Sequence, residues 1–130
     1  MKTLIFTLLL FVSIFSSSVS SALSLGDINI SSVLNQSLRA SIQVKNTKEL
    51  REEEIIVRLA SEEYFKKSGI EHLHFYKQLK FTVSKTESND MLIQIRSHDS
   101  VVEPFLNFII EVQTPQGRSF KQYTLLIEPH

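Results

Sequence analysis

The sequence predicts an all-β protein, an antiparallel two-sheet sandwich of about seven strands with one short helix crossing between the sheets. Three observations carry this reading. Apolar and polar residues alternate with a period of two in several separate runs, as in strands with one face in a core. Clusters of Asn, Asp, Ser, Pro and Gly separate those runs. The one convincing helical segment, Ser61–Gly69, is too short to cover the apolar faces of so many strands. The rival arrangement is a single twisted sheet packed on that helix, which this last point disfavours.

The heaviest apolar load lies in 103–129, EPFLNFIIEVQTPQGRSFKQYTLLIEP. It reads as a hairpin. Leu106, Phe108, Ile110 and Val112 share one face, and Tyr123, Leu125 and Ile127 repeat the alternation after the reversal at Thr114–Arg118. Pro115 presets φ for a turn and Gly117 tolerates positive φ. Upstream, Leu25–Ile30 is a short first strand and Val33–Gln36 a loop. In Ser37–Lys45, residues Leu38, Ala40, Ile42 and Val44 point inward. Asn46–Glu53 is a loop or a single helical turn, and Glu54–Ala60 is a strand with Ile55, Val57 and Leu59 inward.

Ser61 can cap the free amides of the helix. Glu62 and Glu63 suit its N-terminal dipole. The spacing pairs Glu62 with Lys66 and Glu63 with Lys67, and Gly69 can end the helix in a left-handed conformation. Gln78–Lys85 and Met91–Ser97 form a second hairpin around Thr86–Asp90, with His98–Ser100 as a turn before the last hairpin. The outline is immunoglobulin-like.

Residues 1–22 read as a cleavable signal peptide rather than part of the fold. Met1-Lys2 is a short positive start, Leu4–Phe15 is apolar, and Ser20-Ser21-Ala22 supplies the small residues that a signal peptidase accepts. The apolar run is shorter than the roughly 20 residues a membrane span needs. Cleavage after Ala22 leaves residues 23–130 as a single domain and points to Sec export, with no span left after cleavage. Losing Lys2 leaves 13 basic against 14 acidic side chains, a net charge of −1. Nothing in that balance attracts nucleic acid. The chain has no cysteine, so packing and strand pairing alone must hold it together.

Chemistry is sparse. His72 and His74 sit two apart and, in an extended segment, would share a face toward one metal ion, giving an alternative reading as a small periplasmic metal- or ligand-binding protein. Glu71 points away from both in a strand, and incidental histidines on a solvated edge are the plainer account. Ser97-His98-Asp99 has the letters of a catalytic triad, but adjacent residues cannot converge as a triad must. The run Glu52–Glu54 beside Arg51 and Arg58 is a solvated charge cluster. No constellation supports an enzyme, and no cofactor is expected. Apolar side chains outside the core face are the better lead. Phe105 and Ile109 lie opposite Leu106, Phe108 and Ile110, so they either form an exposed partner patch or are covered by the helix or by Val101-Val102. Gln116 and Arg118 at the hairpin tip complete the candidate partner surface. Edge-strand pairing is a second route to a partner.

The pattern resembles the N-terminal periplasmic domain of the FimV family, also called TspA. The matching words are Leu25–Ile28, Leu34–Ala40, Val57–Ser61, Phe65 and Gly69, then Glu103–Phe108, Pro115–Arg118 and Tyr123–Leu126. The resemblance implies a non-enzymatic role in type IV pilus function, including assembly of the outer-membrane secretin, and in cell-pole organisation. Envelope and pilus-assembly proteins would be the partners. Full-length members are similar to one another in adding a peptidoglycan-binding LysM module, a transmembrane helix and a long acidic cytoplasmic region. This sequence ends at His130, where the first domain ends, so peptidoglycan binding is not expected of it. Ser37 stands where the family typically has proline.

Overall fold

The computed structural model describes residues 23–47 and 49–130. The expected signal peptide, 1–22, lies outside them. Among the described residues seven strands form two antiparallel sheets: β1 (Ser24–Ile30), β2 (Ser37–Lys45), β3 (Ile56–Leu59), β4 (Lys80–Lys85), β5 (Met91–Ser100), β6 (Phe105–Thr114) and β7 (Gly117–Leu126). One sheet has the order β1-β2-β5-β4 and the other β3-β6-β7. In chain order these are strands A, B, E and D facing C, F and G, the arrangement of a constant-type immunoglobulin domain. Among the described residues one α-helix, α1 (Glu62–Lys67), carries the chain from β3 in the smaller sheet toward β4 in the larger.

Period-two patterning decides where the core sits. Leu38, Ala40, Ile42 and Val44 of β2 and Met91, Ile93 and Ile95 of β5 are buried. They face Leu106, Phe108, Ile110 and Val112 of β6, with Tyr123, Leu125 and Ile127 beside them. Phe65 of α1 is fully buried in the same cluster. The buried core is one cluster running from Leu38 to Ile127, and Leu25, Ile28 and Ile30 of β1 pack against it. With no cysteine to bridge the sheets, this apolar interface carries the stability, at roughly 25 cal/mol per Å² buried.

The rim where β1 meets β7 shows how local chemistry closes the sandwich. The register of β1 slips between Leu25 and Ile28, a bulge that places one extra residue against β2. Gly26 sits in it, and a Cβ there would come within 2.9 Å of the Gln43 carbonyl oxygen. The Gly26 carbonyl accepts a hydrogen bond from the Tyr123 hydroxyl at 2.9 Å, and the Lys121 ammonium donates to the Leu25 carbonyl at 3.0 Å. Gly26→Ala is therefore expected to destabilise by about 1–3 kcal/mol, because backbone, not a flexible side chain, must shift. A urea titration measures it.

Burial pushes the Tyr123 phenol up to about 12 and raises that of Tyr76 as well. Both folded-state values lie above the ordinary phenol value of about 10, so folding favours the protonated forms. Their contribution is complete below pH ~10 and is lost as pH rises through the raised values. The tyrosinate absorbance of these two residues should therefore appear together with loss of near-UV circular dichroism, in one alkaline transition.

Several expected boundaries move. The strand expected over Glu54–Ala60 shortens to β3, because Glu52–Glu54 forms a 3₁₀ turn whose Glu54 carboxylate pairs with Arg51 at 3.1 Å. Ile55 is buried as expected, whereas Val57 and Leu59 are only partly covered. A second 3₁₀ turn, His74–Gln78, precedes β4. His98–Ser100 is not a turn: β5 runs on to Ser100, opposite Ser37. In α1 the Ser61 hydroxyl accepts the Tyr64 amide at 3.2 Å, and Gly69 takes φ of +73°. Ser61→Ala should cost about 1 kcal/mol by thermal denaturation. Glu62, however, pairs with Lys77 at 3.1 Å instead of Lys66. The 3₁₀ turn brings Lys77 over the helix start, where the N-terminal dipole already favours a carboxylate.

Candidate partner-binding surface

The four candidate surface residues do not form one patch. Phe105 and Leu126 face each other at the open end of the β6–β7 hairpin, while Thr114 and Gly117 pair at its tip. Nine residues of strand separate Phe105 from the tip, roughly 30 Å at the rise of an extended chain. Gln116 is exposed at that tip, its amide held by the Thr114 hydroxyl at 3.2 Å. Arg118 is exposed and reaches back to Glu111, with Nη1 3.4 Å from Oε1. Arg58, opposite Glu111 on β3, approaches its other oxygen at 3.2 Å. Arg118 thus helps to neutralise a carboxylate that is only 7% exposed.

Ile109 corrects the expectation of an exposed pair. It lies on the outer face with Phe105 by strand parity, but it is 3% exposed. Tyr64 of α1 stacks on Phe120 of β7, with ring centroids 4.0 Å apart and planes 9° from parallel. Phe120 faces Glu111 across the hairpin, on the same face as Ile109. The helix therefore straddles the β3 side of the sheet, with Phe65 beneath and Tyr64 above. Its cover ends before Phe105, which remains 52% exposed.

The histidines do not sit on a strand edge. His72 lies in the segment after the helix and presents its ring to the edge of Phe65, centroids 4.7 Å apart. His74 opens the 3₁₀ turn, so the pair is not the extended H-x-H that would share a face. Among the described residues no group of three or more His, Cys, Asp or Glu is placed to hold a metal ion. Ser97-His98-Asp99 is likewise structural. The Ser97 hydroxyl accepts the Leu38 amide at 2.7 Å and donates to the Asp99 carbonyl at 2.7 Å. A hydrogen bond from His98 holds the Asp99 carboxyl below its usual range.

What remains at the open end of the hairpin is an apolar surface beside a groove. Phe105, Leu126 at 75% exposed and Val102 at 70% make the surface. Ile70, Glu71, Leu73, Tyr76, Glu103, Phe105 and Asn107 line the groove, an open cleft of about 460 Å³. Its floor is fixed from two sides. Tyr76 is buried against Phe108, ring centroids 5.6 Å apart, and its hydroxyl accepts the Asn107 amide at 2.9 Å. The Asn107 side-chain carbonyl accepts from Gln122 at 2.8 Å. Both ionisable groups at the rim, Glu71 and Glu103, are carboxylates, and no lysine or arginine lines the groove. The cleft thus sets apolar side chains beside a few placed polar groups.

Comparison with known proteins agrees with the fold. A family model described as the FimV N-terminal domain, an Ig-like domain, matches residues 23–130. The chain is also similar to the motility hub protein FimV of Pseudomonas aeruginosa, strains PAO1 and UCBPP-PA14. In each case 38% of residues are identical over 117 residues, 90% of this chain. The matched region is 13% of those relatives' own length.

Proposed function

This chain belongs to the FimV N-terminal domain family, and on that premise we propose that it is a non-enzymatic interaction module of the periplasm. It serves type IV pilus or secretin assembly, or organisation of the cell pole, by offering one rigid face of its sandwich to an envelope partner. The observation that carries this reading is the surface at the open end of the β6–β7 hairpin. Three apolar side chains, Val102, Phe105 and Leu126, stand exposed beside Asn107, whose backbone amide is held by the Tyr76 hydroxyl and whose side chain is held by Gln122. Apolar area held in water on a fixed frame lowers its free energy when a partner covers it. The name motility hub protein borne by the Pseudomonas relatives fits such a role, and the signal-peptide pattern of residues 1–22 fits its location. Among the described residues no helix is long and apolar enough to cross a membrane.

A photo-crosslinking side chain placed at Phe105 in the native host tests the proposal, with Thr82 on β4 as a control position. The expected result is an adduct from Phe105 with a pilus-assembly or other envelope protein, absent from Thr82. Adducts of equal yield at both positions, or none at Phe105, would overturn the reading. Phe105→Asp should lower the yield at Leu126 about tenfold or more, as loss of an interface anchor does, while thermal stability stays within about 0.5 kcal/mol because the side chain is exposed.

A further inference from the structure

β6 has ten residues and β3 only four. β3 pairs with β6 from Ile56–Gln113 to Leu59–Ile110, and the Ala60 amide adds one more bond, to the Ile109 carbonyl. The chain then turns away into α1. Odd-numbered residues of β6 aim their backbone groups toward β3, because the even-numbered ones bond β7, as the Ile127 amide does the Pro104 carbonyl. Beyond Ile109 the odd residues therefore face the groove. The Asn107 amide is taken by the Tyr76 hydroxyl. The Phe105 amide, the Phe105 carbonyl and the Asn107 carbonyl have no partner on that side among the described residues.

An unpaired stretch of strand is a template for another strand, and proteins ordinarily blunt such edges. The other edges here are blunted. β4 carries Lys80 and Lys85 at its ends, and the Lys85 amide is capped by the Glu52 carboxylate. β1 is bulged at Gly26. β7 turns Lys121 inward onto the Leu25 carbonyl. β3 is very short. The β6 stretch has none of these devices. Pro104, just before it, lacks an amide that would have faced β7, so the proline does not guard the groove side.

We propose that this stretch of β6 takes an extended peptide from a partner protein as an added strand, with an apolar side chain of the peptide between Ile70, Leu73 and Phe105 and basic side chains against Glu71 and Glu103. The proposal rests on the partner-surface reading above and gives that partner a chemistry. Main-chain bonds to Phe105 and Asn107 supply register, and the groove supplies side-chain preference. A rim with two carboxylates and no cation repels acidic peptides and attracts basic ones.

The test uses residues 23–130, which hold every element of the sandwich, labelled with nitrogen-15. Three nine-residue probes are titrated: alternating Lys–Val, alternating Glu–Val, and Lys–Val N-methylated at its four central residues. The Lys–Val peptide is expected to shift the amides of Phe105, Asn107 and Ile70–Leu73 and to slow exchange of the Phe105 amide. The Glu–Val peptide should bind about tenfold more weakly or worse, and N-methylation should abolish binding because it removes the donors. Glu71→Lys combined with Glu103→Lys, both at exposed positions, should reverse the charge preference. Shifts along β7, equal binding of all three probes, or a dimer of the free domain with Phe105 buried between copies would overturn the proposal. Crosslinks from Phe105 without binding of any peptide would overturn strand addition while leaving the partner surface standing; failure of both would remove the surface as well.

Discussion

Phe65→Ala is expected to cost about 3–5 kcal/mol, the range for deleting a buried aromatic ring, and to lower the melting temperature by on the order of 20 °C. Phe65 is fully buried. Its ring meets His72 edge-on at 4.7 Å and Tyr76 at 6.1 Å, and Tyr76 in turn meets Phe108 of β6 at 5.6 Å. This chain of rings ties α1 and the segment after it to the smaller sheet. Removing its first member opens a cavity that rigid strands cannot collapse to fill. The helix has under two turns and no stability of its own, so it should fray, uncovering Ile109 and freeing Tyr64 from Phe120. Phe105→Ala is the matched control: the same chemical change at a half-exposed site should stay within about 0.5 kcal/mol. Chemical denaturation of the two variants side by side reads the difference, and a similar loss in both would contradict the placement of these rings.

Tyr76→Phe should cost about 1–3 kcal/mol although only one oxygen is removed. That oxygen accepts the Asn107 amide at 2.9 Å. The ring remains, so packing on Phe108 and Phe65 persists and no large cavity forms. What changes is the edge of β6, where the Asn107 amide loses its acceptor and joins the unpaired groups of Phe105. The variant should therefore show faster exchange at Asn107 with little change at Phe108, whose amide bonds β7. It should also bind partner strands in altered register, since one more donor is open. Loss of protection spread evenly along β6 would mean instead that the phenol acts only through the core.

Strands with one face in the core were legible in the sequence because their period is enforced by burial. Ser37–Lys45 was expected with those limits and has them, and the reversal at Pro115-Gln116 sits where proline and glycine require it. Helix α1, its Ser61 cap and its Gly69 stop follow from local chemistry alone. The misplaced features depend on what lies across from them. Parity alone puts Ile109 outside beside Phe105, but whether an outer residue meets water is decided by α1, whose Tyr64 reaches Phe120. His98–Ser100 looks like a turn by composition, yet it pairs with β2 because Ser37 lies opposite and its hydroxyl donates to the His98 carbonyl at 3.1 Å. Glu62 finds Lys77 because a 3₁₀ turn, itself without a periodic signal, brings it near.

The groove is the clearest case. It exists because β3 is six residues shorter than β6, and the sequence, which reads as a strand from Glu54 to Ala60, hides that mismatch. Phe105 could be singled out from its parity and its neighbours. Ile70, Leu73 and Tyr76 could not, because they come from a segment with neither helical nor strand period, and only the turn of the chain after α1 brings them to the β6 edge. Gln116 and Arg118 were reasonable as exposed tip residues, but they stand at the far end of the hairpin, and Arg118 is engaged with Glu111.

The central claim is that β6 is closed on one side and open on the other over its first three residues. Amide hydrogen exchange along β6 in the free domain tests it most directly. The expected pattern alternates: Leu106 and Phe108, bonded to β7, exchange slowly; Asn107, held by the Tyr76 hydroxyl, is intermediate; and Phe105 exchanges at nearly the rate of an open chain. Protection of Phe105 equal to that of Leu106 would show the edge already occupied, and would contradict the account.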